Sequence, residues 1–140
     1  MNEYKYLIVP IIAWLSVQFI KFITDTLKNK KINLKVLVAS GGMPSSHSSV
    51  VTSLMTMVGV NEGFDSILFA ISFVFGLIVM YDAAGVRRAA GKQAGILNQL
   101  IYSNQVKVNT NEKLKELIGH TPKQVFVGAL WGIFLGIIFA

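Results

Sequence analysis

Four apolar runs, at about residues 6–23, 44–60, 66–84 and 122–140, fill most of this 140-residue chain, and basic loops separate them. A membrane-spanning helix needs about 20 mostly apolar residues. Each run is therefore predicted to be a membrane helix. The second is marginal, because its first turn is polar, and it reads as a helix shielded by its neighbours. The charges are sorted by loop. Residues 25–43 hold Lys28, Lys30, Lys31 and Lys35 against a single acid, and residues 85–120 hold Arg87, Arg88, Lys92, Lys107, Lys113 and Lys115 against Glu112 and Glu116. The short turn 61–65 holds only Glu62 and Asp65. Lysine and arginine gather in cytoplasmic loops. Both basic loops are thus expected on the cytoplasmic side of the plasma membrane, with both termini outside. The first run follows Asn2-Glu3-Tyr4-Lys5 without a small-residue cleavage site, so it reads as a span and not as a signal peptide.

Composition narrows the function classes. The chain is 53% hydrophobic and only 14% charged, too apolar for an ordinary soluble domain. Its net charge of +6 is accounted for by the topology, so nucleic-acid binding is not expected. There is no cysteine, which removes disulfides, thiolate nucleophiles and cysteine-based metal sites. The carboxylates are scattered, and two histidines alone make a poor zinc site, so neither metal nor cofactor is expected.

The fold expected is all-α: one integral-membrane helical bundle over residues 1–140, with about four transmembrane helices and one or two short helices at the cytoplasmic face. The loop helices are predicted over residues 89–102, with apolar spacing at Ala90, Ala94, Leu97 and Ile101, and over residues 111–118. Gly128, Gly132 and Gly136 form a stripe on the last helix that lets another backbone approach closely. Packing within the monomer is the favoured use, and a homodimer seam is the alternative.

The residues able to do chemistry stand at the cytoplasmic ends of these helices. The chain has two histidines. His47 lies in Gly41-Gly42-Met43-Pro44-Ser45-Ser46-His47-Ser48-Ser49, where Pro44 suits the first position of a helix. The free N–H groups of such a first turn make an anion site, and Ser45 and Ser46 add hydroxyl donors. A capped helix accounts for part of this run, but a long polar stretch at a membrane boundary calls for further partners. His120 lies in Gly119-His120-Thr121-Pro122, with Thr121 as cap and Pro122 as first residue of the last helix. A lone histidine is more often structural; two at one face are not so easily dismissed. Asp82 and the pair Arg87-Arg88 end the third run; a carboxylate there needs a partner, which a nearby arginine or histidine would supply, and arginine also matches phosphate oxygens with a fixed fork of donors. Lys21 either snorkels to the interface or points at a bound phosphate. Together these groups fit phosphoryl transfer, with one histidine attacking phosphorus and the other protonating the leaving oxygen.

Pro44-Ser45-Ser46-His47 resembles the Pro-Ser-Gly-His motif of type 2 phosphatidic acid phosphatases and their vanadium haloperoxidase relatives. His120-Thr121-Pro122-Lys123-Gln124-Val125 resembles the segment of that superfamily holding the nucleophilic histidine. With Tyr81-Asp82-Ala83-Ala84-Gly85-Val86-Arg87-Arg88 and Leu97-Asn98, nearly the whole chain is most similar to its divergent branch of small membrane proteins. The resemblance implies a membrane lipid phosphatase acting on a phosphomonoester or diphosphate lipid. It implies His120 as nucleophile and His47 as acid. Ser45, the backbone of Ser46, Arg87 or Arg88, and Lys21 would bind phosphate. The chain departs from the pattern in four places. Arg88 precedes His120 by 32 positions instead of six, Gln124 replaces the orienting carboxylate, Ser46 replaces glycine, and no Arg-Pro follows Lys21. Asp82 is the carboxylate expected to stand in for the missing one. The alternative is a non-catalytic protein that binds or transports anionic lipids through the same cationic site.

Overall fold

The computed structural model describes residues 3–38, 41–103, 114–116 and 118–140. The described residues form five α-helices and one 3-10 turn, with no strand among them. These are α1 (Lys5–Asn29), the 3-10 turn Leu34–Val38, α2 (Ser46–Glu62), α3 (Ile67–Ala84), α4 (Val86–Tyr102) and α5 (Pro122–Phe139). The all-α membrane bundle expected from the sequence is what forms.

The second run, marginal in the sequence, is the shielded helix expected there. Three helical runs are long and apolar enough to cross a membrane: α1, the nearly continuous α3–α4 run Ile67–Tyr102, and α5. The expected second span, α2, has 17 residues and sits between α1, α3 and α5. Its buried side chains include Ser46, Ser48, Ser49, Thr52, Ser53 and Thr56. Lipid offers no partners for such groups, so they must be satisfied inside the protein. They are. The Ser49 hydroxyl donates to the Ala13 carbonyl on α1 at 3.3 Å, and the Thr52 hydroxyl shares its proton between the Ser48 and Ala129 carbonyls at 2.8 and 3.0 Å. The other helices turn their large apolar side chains outward, including Phe19 on α1, Ile71 and Phe75 on α3, and Phe134 and Ile137 on α5.

The glycine stripe of α5 makes the central seam. A Cβ at Gly128 would overlap the Ser45 backbone, one at Gly132 the Ser49 carbonyl and the Thr52 hydroxyl, and one at Gly136 would lie 2.7 Å from Thr56 Cβ. The stripe is therefore filled by α2 of the same chain, and the homodimer seam considered there has no free surface. The register is parallel: Ser45 lies by Gly128 and Ser53 by Gly136. The N-termini of α2 and α5 thus meet at one end of the bundle. The helix α1 runs the other way, since Lys5 Nζ donates to Asn61 Oδ1 at the far end of α2. The two basic loops consequently share one end, and the acidic turn 61–65 lies at the other.

The start of α5 follows the sequence, and the start of α2 does not. Ser66 caps α3, and Thr121 with Gln124 forms a capping box on α5 with Pro122 in its first turn. Pro44, expected as the first helical residue of α2, instead precedes the cap, which is Ser45. Ser45 accepts from Ser48 N–H at 3.3 Å, so the polar side chain wins the cap position.

The loop between α3 and α5 is partly helical. Gly85 breaks the α3–α4 run, and α4 buries Gly91, Ala94 and Asn98, so of the face predicted at Ala90, Ala94, Leu97 and Ile101 only Ala94 is buried. The reason is its partner. The returning segment packs its Glu116 and Ile118 backbone onto Gly91, where a Cβ would overlap it. The Asn98 amide also donates to the Leu114 carbonyl and the Glu116 carboxylate, and its oxygen accepts from Leu114 N–H. A face that binds backbone needs small and amide side chains. Of the second loop helix, predicted over residues 111–118, residues 111–113 and 117 lie outside the described residues, and 114–116 and 118 are not helical.

Candidate active site

Four chain segments meet at the basic end of the bundle. The N-terminus of α2 brings Ser45, Ser46 and His47, and α1 brings Lys21 one helical turn before Asp25. The end of α3 brings Asp82 and Ala83, and the approach to α5 brings Gly119 and His120. Local backbone needs explain how His120 arrives. Gly119 has φ +89°, and a Cβ there would overlap the Arg87–Arg88 backbone. Only glycine lets the segment cross the α3–α4 junction this closely. The His120 N–H then donates to the Ala83 carbonyl at 2.9 Å. Thus α4 and the segment returning along it fold out, and Arg88 ends beside Gly119 despite the 32 positions that separate it from His120.

The two imidazoles meet edge-on, with ring centroids 5.9 Å apart. His120 is 1% exposed, and neither ring nitrogen has a hydrogen-bond partner among the described residues. Burial pushes its pKa below the ordinary histidine value, and the positive charge of Lys21 and the neighbouring His47 push the same way. The ring is therefore held neutral, with a lone pair available. Lys21 is 4% exposed and its ammonium also lacks a partner among the described residues. Gly42 lies over its stem, 3.9 Å from Cδ to the position of a Cβ. A buried cation without a partner is costly unless an anion joins it.

The remaining predicted site residues separate into engaged and open ones. Ser45 is fully buried, and its hydroxyl accepts from both the Ser48 N–H and the Ser48 hydroxyl, leaving its own proton as the donor available to a ligand. Ser46 is buried in the first turn of α2. Arg87 Nε pairs with Asp82 Oδ2 at 2.5 Å. Asp82 is thus bound to arginine and does not support His120, so the expected substitution for the missing carboxylate does not occur. Gln124 lies beside the His120 ring and pushes that pKa upward, against the larger effect of burial. Its side-chain oxygen accepts from Thr121 N–H at 2.8 Å in the capping box. Arg88 is the open one, lining a chamber of about 730 Å³ together with His120, Lys92 and Lys115.

A sequence profile of the divergent PAP2 family matches residues 2–135. The chain belongs to this family. It is similar to the "Uncharacterized membrane protein YuiD" of Bacillus subtilis, at 42% identity over 135 residues, which cover 88% of this chain and 85% of that protein. No solved structure matches the chain. For this member of the divergent PAP2 family the comparisons support a membrane protein related to phosphatases.

One residue of the site was not singled out from the sequence. Asp25 lines the His120 chamber and the neighbouring cavity that contains Lys21, with its Oδ2 buried and without a partner among the described residues. Its spacing of four from Lys21 on a helix was the available signal. Asn98, named in the sequence only as part of the family resemblance, positions the segment that carries His120. Among the described residues no cluster of three or more histidine and carboxylate groups has the arrangement of a metal site.

Proposed function

We propose that this protein is a lipid phosphatase that works through a phosphohistidine and without a bound metal. The carrying observation is the pair of edge-on histidines 5.9 Å apart, beside the buried, unpartnered ammonium of Lys21. The neutral His120 ring attacks phosphorus with its lone pair. The bond from phosphorus to the ester or bridging oxygen breaks, and that oxygen leaves with its electron pair and a proton from His47. Water then attacks the phosphohistidine and the P–N electron pair returns to His120. The water's proton passes to His47, and phosphate is released. Lys21, Arg88, the Ser45 hydroxyl and the converging N-termini of α2 and α5 stabilise the non-bridging oxygens. The substrate is a phosphomonoester or diphosphate lipid, met in the cytoplasmic leaflet because both basic loops share the site's end.

The test is phosphate release by the purified protein in detergent, without added metal, on phosphatidate, phosphatidylglycerophosphate and undecaprenyl diphosphate. Wild type is expected to release phosphate on at least one of them. His120→Ala is expected to fall to background, and His47→Gln to lose about 10²–10⁴-fold. Folded wild-type protein inactive on the whole panel would sink the proposal.

One observation favours a second reading, binding or transport of anionic lipids. Gln124 stands where the orienting carboxylate would be, and Asp82 is paired with Arg87, so no carboxylate orients His120. In that case His120→Ala has no turnover to lose and lowers lipid affinity instead.

A further inference from the structure

The two histidines open onto different spaces. His120 faces the chamber of Arg88, Lys92 and Lys115. His47 faces a separate groove of about 420 Å³ between α1, α2 and α3. Its walls are mostly apolar, with Trp14, Val50, Val51, Phe75 and Val79; Gln18 and Ser46 are its polar lining beside His47, and no lysine, arginine or carboxylate lines it. Trp14 and Phe75 stand on the outer, lipid-facing surface, 40% and 54% exposed. The groove therefore runs from His47 sideways toward the hydrocarbon of the bilayer.

Displacement at phosphorus is in line, so nucleophile and leaving oxygen occupy opposite faces of the phosphoryl group. With His120 attacking and His47 donating the proton, the leaving alcohol lies on the side of His47. A hydrocarbon tail on that side meets the apolar groove, while the non-bridging oxygens stay with the cations. We infer that the α1–α2–α3 groove holds the hydrocarbon tail of the leaving alcohol, and that the substrate enters and the alcohol departs sideways between α1 and α3. This rests on the roles given to the two histidines above. A rival location exists. A larger cavity of about 760 Å³ between α1 and α5 has apolar walls at Ile20, Leu130 and Trp131, but it contains Lys21 and does not touch His47.

The experiment has two arms. In the first, turnover of long-chain phosphatidate is compared with that of its dihexanoyl analogue. Val79→Trp fills the groove and is expected to lower kcat/KM on the long chain by at least about tenfold, a loss typical of a spoiled hydrophobic subsite, with the short chain little changed. Leu130→Trp fills the rival cavity and is expected to leave the preference unaltered. The reverse pattern, or equal loss on both substrates by folded Val79→Trp, overturns the inference. The second arm uses wild-type protein alone. A phosphonate analogue of phosphatidate with a diazirine at the end of its tail is photocrosslinked in micelles and the labelled peptides are mapped. Label on the Trp14 and Phe75 peptides supports the groove; label confined to the Trp131 peptide overturns it. If wild type labels at the groove and yet turns nothing over, the tail site stands and the phosphatase reading falls.

Discussion

The helices α2 and α3 are nearly equal in length, 17 and 18 residues, and each starts from a serine cap, but they are inverted in what they bury. In α2 ten residues are buried, most of them polar or small, while α3 buries only Gly76 and Ala83. In water the apolar helix would be the core and the polar one the surface. Here the solvent is hydrocarbon. It gives apolar side chains no reason to hide and polar ones no partner outside the protein. What holds α2 is close backbone approach along Gly128, Gly132 and Gly136, with hydroxyls donating across helices. The same arrangement aims two helix N-termini at one place, so the device that builds the core also builds the site.

The comparison breaks most severely at the seam. Gly132→Leu forces a side chain into the Ser49 backbone and the Thr52 hydroxyl, neither of which can yield without moving α2. Overpacking a core typically costs about 1–3 kcal/mol, and backbone overlap is expected to reach or exceed the top of that range. Aggregation on size exclusion and loss of a cooperative melt in detergent are the expected readouts. A monodisperse protein with an unchanged melt would remove the seam from the account. Ile71→Val on the outward face of α3, the matched control, is expected to change the melt little.

Smaller and pH-dependent is the contribution of His120. Its pKa is lowered in the folded protein, mainly by burial, so the unfolded chain binds the proton more readily. The stability it contributes is complete above the unfolded value of about 6.5 and is lost as pH falls from there through the folded value. The melting temperature is therefore expected to drop between pH 8 and pH 5, and the drop to be shallower in His120→Asn. Equal slopes in both proteins would show that other groups set the acid limb. Smallest is Thr52→Val. It keeps the shape and removes the hydroxyl that bridges to Ala129, and hydrogen bonds between membrane helices average about 0.6 kcal/mol. A loss of that order in denaturant unfolding, clearly larger than that of Ile71→Val, sharpens the contrast between the two helices.

Much of this was legible in the chain itself. Charge sorting between loops placed His47, His120 and Arg88 at one end, because local patterns of apolar runs and lysines specify where a chain can cross lipid. Thr121 and Pro122 announced the start of α5, since capping is a short-range matter. The motif residues identified the family. Other features depended on contacts between segments far apart in sequence. Pro44 read as a helix start, yet Ser45 took the cap. Asp82 read as a partner for a nearby arginine or histidine, and Arg87, five positions on, took it in place of His120. Asn98 read only as one residue of the family resemblance, and its amide holds the segment that delivers His120.

The sequence by itself determined an all-helical membrane protein with its histidines, arginines and lysines gathered at one end, because hydropathy and charge act residue by residue. Only the tertiary structure decided that α2 is the centre and that the glycine stripe faces inward. It alone brought Arg88 beside the segment carrying His120 across an insertion, and it opened the two histidines onto different spaces. Those outcomes depend on which backbones can approach within contact distance, and that is a property of packed pairs of segments and not of any one segment alone.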